Sequence, residues 1–307
     1  TFEDFYRALM LQWEYLIEKS VDIGNEYDKY LAYVNPSSMY SATIKTSLKN
    51  AFDGYGGGVK FNNSCMLTCG FASLVDSVMA VKKFVYDKKE VSLSEMKSAL
   101  DSNWNGYEKL RAKMRYSPYK YGNGEPETDM YAEMMARYLA NKVNNRPNAR
   151  GGVYKTSIHP AMMFVWQGEK TLASADGRCA GEELSKNASP SPGMDRNGVT
   201  ALINSVTKLN PTLFPESFCL DVMLHPSAVE GDDGLIAMKA ILDTYSDKDG
   251  MSMQINVFNS QILRDAQKNP DKYKNLQVRV CGWNVLWNNL SRAEQDAYIY
   301  RAENIQY

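Results

Sequence analysis

Beyond residue 152 the chain repeats one local pattern: a short apolar run of strand length, a turn, then a stretch of helical periodicity. The runs Phe218–Leu224, Met253–Phe258 and Gln277–Val280 are too short for buried helices and are bounded by turn residues, so they read as buried strands. Met162–Trp166 is a further short apolar run. Between and beside them, Gly198 to Lys208, Gly234 to Tyr245 and Ser260 to Lys268 read as helices. Successive parallel strands need a long crossover, usually a helix, and this alternation supplies one each time. The expected class is therefore α/β, as a parallel sheet or a β/α barrel.

Residues 1–150 read as mainly helical. Thr1 and Asp4 have capping-box spacing, with Asp in the usual place of Glu or Gln. Phe2, Phe5, Leu9, Trp13 and Ile17 follow at helical intervals, and Asn35-Pro36 favours a break. A second helix is expected over about 37–50, and another from Phe71 to Tyr86. Ser92 and Glu95 cap a further one before Met96 to Trp104. Gly54 to Gly58 reads as a flexible turn, since it lacks the Gly-Lys-Ser/Thr ending of a phosphate-binding loop. Tyr116 to Pro126 reads as a surface loop, and Met130, Met134 and Tyr138 as a core-facing helical stripe. Asn144 to Gly152 is the best linker, which would divide the chain into 1–150 and 151–307.

The charge balance, 35 basic against 36 acidic residues, implies no broad attraction to nucleic acid or anionic membrane. No apolar run approaches the roughly 20 residues that span a bilayer. Five cysteines in a chain this long fit a reducing cytoplasm better than a disulfide scaffold. The chain opens on Thr1 rather than methionine and without a secretory signal, so a processed or truncated start and a cytoplasmic location are expected.

The most informative motif is Arg279-Val280-Cys281-Gly282-Trp283, between an expected strand and a helix capped by Ser291 and Glu294. Several blocks precede it in order. They are Ala175-Asp176-Gly177-Arg178, Ser189-Pro190-Ser191-Pro192-Gly193-Met194-Asp195, Gly198-Val199-Thr200-Ala201, His225-Pro226-Ser227-Ala228 and Gln254-Ile255-Asn256-Val257. Asp265 to Tyr273 then runs into Leu276 to Val280. Together these resemble the glycyl radical enzymes of the pyruvate formate-lyase superfamily, across nearly the whole chain. Ala175 replaces the family's usual proline, and Trp283 its commoner tyrosine or phenylalanine. In that family the glycine equivalent to Gly282 stores an unpaired electron on its α-carbon. A side chain would crowd a flattened radical centre, whereas glycine also leaves the backbone free to swing.

The resemblance implies a ten-stranded β/α barrel of two five-stranded halves. This chain would supply the later half, with Gly282 on a loop inserted into a buried interior and residues 151–307 carrying the barrel strands and the glycyl radical domain. Arg279, Val280, Cys281 and Trp283 would support the radical loop. The radical would be installed by an AdoMet- and iron–sulfur-dependent activating enzyme, with no bound cofactor and no metal in this chain. The family also needs a thiyl cysteine in a Gly-Cys-Val-like loop. None of Cys65, Cys69, Cys179, Cys219 or Cys281 stands in one, so that cysteine is expected on a missing N-terminal half or separate subunit. Complete units could pair as dimers. The preferred reaction is dehydration of a small hydroxylated substrate. Formate–acetyl transfer, arylacetate decarboxylation, fumarate addition, and a non-catalytic radical-bearing repair subunit stay open.

Four further residues are candidate substrate contacts. Asp221 lies within an apolar run, where an unpaired charge is costly, so it needs a partner or a polar cavity. Asn256 sits likewise in its strand. His159 and His225 each precede proline, which suggests extended strand-to-loop junctions; a structural role is favoured for both over substrate contact. Neither has a companion at metal-ligand spacing. Cys65 and Cys69 supply two thiols, too few for an iron–sulfur cluster, and read as small buried thiols. Asp176 and Arg178 are expected to form a structural turn and ion pair.

Overall fold

The computed structural model describes residues 1–280 and 282–303. They fall into two compact units. One comprises Thr1–Met66, Arg137–Ser157 and Phe214–Glu216; the other comprises Leu67–Ala136, Ile158–Leu213 and the residues from Ser217 onward. The break expected near residue 150 thus lies inside the first unit. Asn144 to Gly152 is no loose linker, because the buried Asn148 donates from its side-chain amide to the Asn62 carbonyl (2.6 Å) and to Ser64 Oγ (3.0 Å). Its Oδ1 accepts from Gly152 N at 2.7 Å.

The first unit opens on the helix Phe2–Val34, whose capping box forms as expected: Asp4 N donates to Thr1 Oγ1 at 3.2 Å. Phe2, Met10, Ile17 and Val21 are its buried face. The helix expected over 37–50 is two, Ser38–Thr43 and Lys45–Asn50, because Ile44 between them is extended. Gly54–Gly56 is a 3₁₀ turn capped by Asp53, not a loose glycine loop. Strands β1 (Ser64–Leu67) and β2 (Tyr154–Ile158) complete this part of the chain.

The second unit carries the repeating α/β pattern. The helix Phe71–Ala80 widens into a π-helical turn, Val81–Asp87, and Leu93–Asp101 follows its Ser92 cap. After the helices Met163–Lys170 and Gly198–Thr207 come β3 (Ser217–Leu224) and β4 (Ser252–Val257). These two strands are parallel and are joined by the helix Gly231–Asp247, with Asp221 opposite Gln254 and Met223 opposite Asn256. The helix Ser260–Lys268 leads to β5 (Gln277–Val280), which turns back antiparallel into β6 (Trp283–Leu286), and the helix Arg292–Glu303 follows. Val278, Val280, Leu263, Ala266, Trp287, Tyr298 and Ile299 pack with Phe164 into one buried cluster. The hairpin is therefore bolted to the core through alternate β5 residues. Among the described residues no helix is long and apolar enough to cross a membrane.

Two further expectations fail, each for its own reason. Met130 and Met134 are 47% exposed, while Met135, Ala136, Leu139 and Ala140 form the buried face of the helix Pro126–Val143. Alanines carry half of that face, so a search for large apolar residues picks the wrong stripe. The loop Tyr116 to Pro126 is only partly at the surface, since Ser117, Lys120 and Tyr121 are buried. Lys120 Nζ donates to the Asp176 carbonyl (2.8 Å), Tyr121 N to Asp76 Oδ1 (2.8 Å) and Tyr121 Oη to the Ala188 carbonyl (3.1 Å). Polar side chains can be buried where every donor finds an acceptor.

Candidate functional site

The turn between β5 and β6 places Gly282 at its apex with φ +99°, a conformation that L side chains rarely adopt. Chain neighbours aside, an added Cβ there would meet none of the described residues within 4 Å, so glycine is required by backbone conformation and not by crowding. Gly282 is exposed in this chain rather than enclosed. Its carbonyl accepts from Arg279 Nη2 at 2.8 Å, and Arg279 Nη1 also reaches Asn284 Oδ1 at 3.2 Å. Val280 is buried in the core, Trp283 is 54% exposed, and Cys281 lies outside the described residues.

The other side of the apex is held by Gln254 of β4. Gly282 N donates to Gln254 Oε1 at 3.3 Å. Gln254 Nε2 donates to the Arg279 carbonyl (3.0 Å), which also accepts from Tyr298 Oη (2.9 Å). The same Nε2 donates to Asp221 Oδ1 at 2.8 Å. Asp221 is partnered as its apolar setting demands: Lys186 Nζ lies 2.6 Å from Oδ1, Asn187 Nδ2 donates to Oδ2, and Ser189 Oγ accepts from the Asp221 backbone N–H at 2.9 Å. Sequence reasoning missed Gln254, Lys186 and Tyr298 as site residues. Only Gln254 carried a signal, a polar amide beside Asn256 in an otherwise strand-like run.

A cavity of about 350 Å³ opens against the β3–β4 ends. Asp221, His225, Asn256 and Lys186 line it, with Phe164 and Met223 as apolar wall. Three of the four expected polar candidates are thus brought together. The fourth, His159, is absent from that lining; its Nδ1 pairs with Ser217 Oγ at 2.8 Å and its buried Nε2 has no partner among the described residues. Burial lowers its pKa and favours the neutral ring, against a smaller opposing pull from Asp221. His225 caps the short 3₁₀ turn Pro226–Val229, its Nδ1 accepting from Ser227 N at 3.3 Å.

Arg178 is buried, but the expected ion pair with Asp176 does not form. Its guanidinium donates to the carbonyls of Cys179 (3.0 Å) and Glu182 (2.8 Å), while Asp176 Oδ1 accepts from Ser174 Oγ (2.6 Å). Planar Arg satisfies several backbone carbonyls at once, which a single carboxylate would not. Cys65 is exposed, not buried as expected, and Cys69 is partly buried, with burial pushing its thiol pKa up to about 11. Among the described residues no group of three or more His, Cys, Asp or Glu is arranged to hold a metal.

The pyruvate formate lyase-like family matches residues 1–168, and the glycine radical family matches residues 184–288, a span that contains the Gly282 turn. The chain belongs to the glycyl radical enzymes. Among its relatives is trans-4-hydroxy-L-proline dehydratase of Clostridioides difficile, 32% identical over 99% of this chain and 38% of the relative. The 4-hydroxyphenylacetate decarboxylase glycyl radical subunit of Clostridioides difficile (strain 630) is 29% identical over 98% of this chain and 35% of its own length. The glycerol-bound B12-independent glycerol dehydratase of Clostridium butyricum superposes with a TM-score of 0.92 at 33% identity, over 98% of this chain and 38% of that one. The fold is therefore the expected part of a glycyl radical enzyme β/α barrel, preceded by a mainly helical region. The chain spans less than two-fifths of the length of these dehydratases.

Proposed function

We propose that this chain is the radical-storing part of a glycyl radical dehydratase acting on a small hydroxylated substrate. The observation that carries this reading is the Gly282 apex: a positive-φ glycine with open space at its α-carbon, on a hairpin anchored to the core. A radical AdoMet activating enzyme removes one hydrogen atom from that α-carbon. The glycyl radical then takes the S–H hydrogen of a cysteine supplied by a polypeptide region or subunit outside this chain. The thiyl radical takes a hydrogen atom from the substrate carbon next to a hydroxyl. The substrate radical loses water, and the product radical recovers its hydrogen from the cysteine.

The dehydratase reading is favoured by the two relatives above 30% identity named here, both dehydratases. The cavity lined by Asp221, His225, Asn256 and Lys186 supplies donors and acceptors suited to hydroxyl groups. Exposure of Gly282 here supports a covering partner, because solvent and oxygen quench a carbon radical. Anaerobic treatment with activating enzyme and AdoMet, with the complementary polypeptide present, should give a doublet-like EPR signal. It should collapse on α-deuteration of glycine and be absent in Gly282→Ala. A signal that persists in Gly282→Ala would sink the assignment.

A further inference from the structure

Gly282 is exposed, and a Cβ built on it would meet no described atom within 4 Å beyond its chain neighbours, so hydrogen bonding is what holds it among the described residues. Among the described residues, two side chains hydrogen-bond to it. Arg279 holds the Gly282 carbonyl from an exposed position, where water competes for both groups. Gln254 holds the Gly282 N–H from a position only 5% exposed, where competition is weak and the same bond is worth more.

The orientation of the Gln254 amide follows from its neighbours. Asp221 Oδ1 and the Arg279 carbonyl can only accept, so the NH₂ group must face them, and the oxygen is left for the Gly282 N–H. One side chain thereby ties the base of the turn to its apex. Its own support is rigid: the parallel register sets Asp221 directly beside it, and Asp221 is clamped in turn by Lys186, Asn187 and Ser189.

We infer that Gln254 is the positioning residue that latches the peptide on the N-terminal side of Gly282, and that it couples the radical turn to the Lys186–Asp221 wall of the cavity. This rests on the reading that Gly282 stores the radical. A carbon radical delocalised over the flanking amide nitrogen and carbonyl depends on where those two groups are held. The latch fixes the nitrogen side and limits how often the turn swings into solvent. Loss of the latch should leave the hairpin intact and shorten the lifetime of the radical.

The test is residue-resolved amide hydrogen exchange on this chain as it stands, which needs neither radical nor partner. Gln254→Met keeps the volume and removes every hydrogen bond. Gly282 should exchange about tenfold faster in that variant, a change matching the loss of one partly buried bond of about 1.4 kcal/mol, while Val278 and Val285 within the hairpin keep their protection. Should Gln254→Met fail to fold, Gln254→Asn, one methylene shorter, retains an amide beside Asp221 and should also deprotect Gly282. If Gly282 keeps wild-type protection in whichever variant folds, or if it loosens only together with Val278 and Val285, the latch is wrong. In the reconstituted wild type, absence of any glycyl EPR signal would overturn the storage reading and leave the exchange result standing. A normal signal with an unaltered lifetime in Gln254→Met would overturn the latch alone.

Discussion

Lys186 Nζ lies 2.6 Å from Asp221 Oδ1, and both side chains are almost fully buried, at 3% and 7% exposure. The pair lines the cavity and is linked through Gln254 to the Gly282 turn, so its geometry bears on both. Burying two charges is costly, and the cost is met here by extra bonds from Asn187 and Gln254 to the carboxylate. Removing only one partner leaves the other buried without its countercharge.

Lys186→Met should accordingly destabilise the second unit by about 3 kcal/mol, toward the lower end for a broken buried pair because Asp221 keeps two amide donors. Urea unfolding at neutral pH measures it. The double variant Lys186→Met, Asp221→Leu should recover part of that loss. A loss in the single variant below 1 kcal/mol would mean that the pair is more solvated than its burial indicates.

Exposure of the activated protein to air should cut the backbone at Gly282, because oxygen adds to a carbon radical and the peroxyl product fragments. Mass spectrometry should find a small fragment carrying the sequence from Trp283 to Tyr307. Confirmed activation followed by air without cleavage would count against a backbone radical at this position.

How much of this was legible in the sequence follows from what each signal encoded. The strands Ser217–Leu224, Ser252–Val257 and Gln277–Val280 fell where short apolar runs predicted, and the caps at Thr1, Ser92 and Ser291 formed because capping is a local interaction. Gly282 was found through a motif, and its positive φ explains why the position tolerates no side chain. Asp221 was flagged because an isolated acid in an apolar run must be partnered. Its partner Lys186 lies 35 positions away and carries no local mark, so only the fold could reveal it. Gln254 carried a faint mark, a polar amide in a strand-like run, but its role depends on strand register and on where the hairpin lands. The burial of Lys120 and Tyr121 was hidden for another reason: polar loop composition reports solubility, not whether acceptors such as Asp76 and the Ala188 carbonyl wait inside.

Replacing each of the five cysteines singly by serine or alanine should leave turnover of the reconstituted enzyme within about threefold of wild type, a barrier change below 1 kcal/mol. The expectation follows from the absence of a Gly-Cys-Val-like loop around any of them. Cys219 is buried in β3, so its replacement also calls for a fold check by circular dichroism. If one replacement abolishes turnover while the glycyl radical and the fold persist, this chain holds its own thiyl residue and the half-site reading fails.

The pH dependence of stability should carry the mark of Glu183. Burial pushes its pKa up to about 7, against the pull of Arg301, Arg115 and Lys186, and its Oε2 has no hydrogen-bond partner among the described residues. With the folded value above the unfolded one, the folded chain binds more protons between the two. Stability from this group is therefore complete below about pH 4 and is lost as pH rises through 7. Thermal unfolding should give a Tm that falls between pH 5 and pH 8 after allowance for the other titrating groups. Glu183→Gln, which stays neutral throughout, should flatten that fall and be the more stable protein at pH 8. An identical pH slope in both proteins would mean that Glu183 is ionised in the folded state across this range and that its neighbouring cations outweigh its burial.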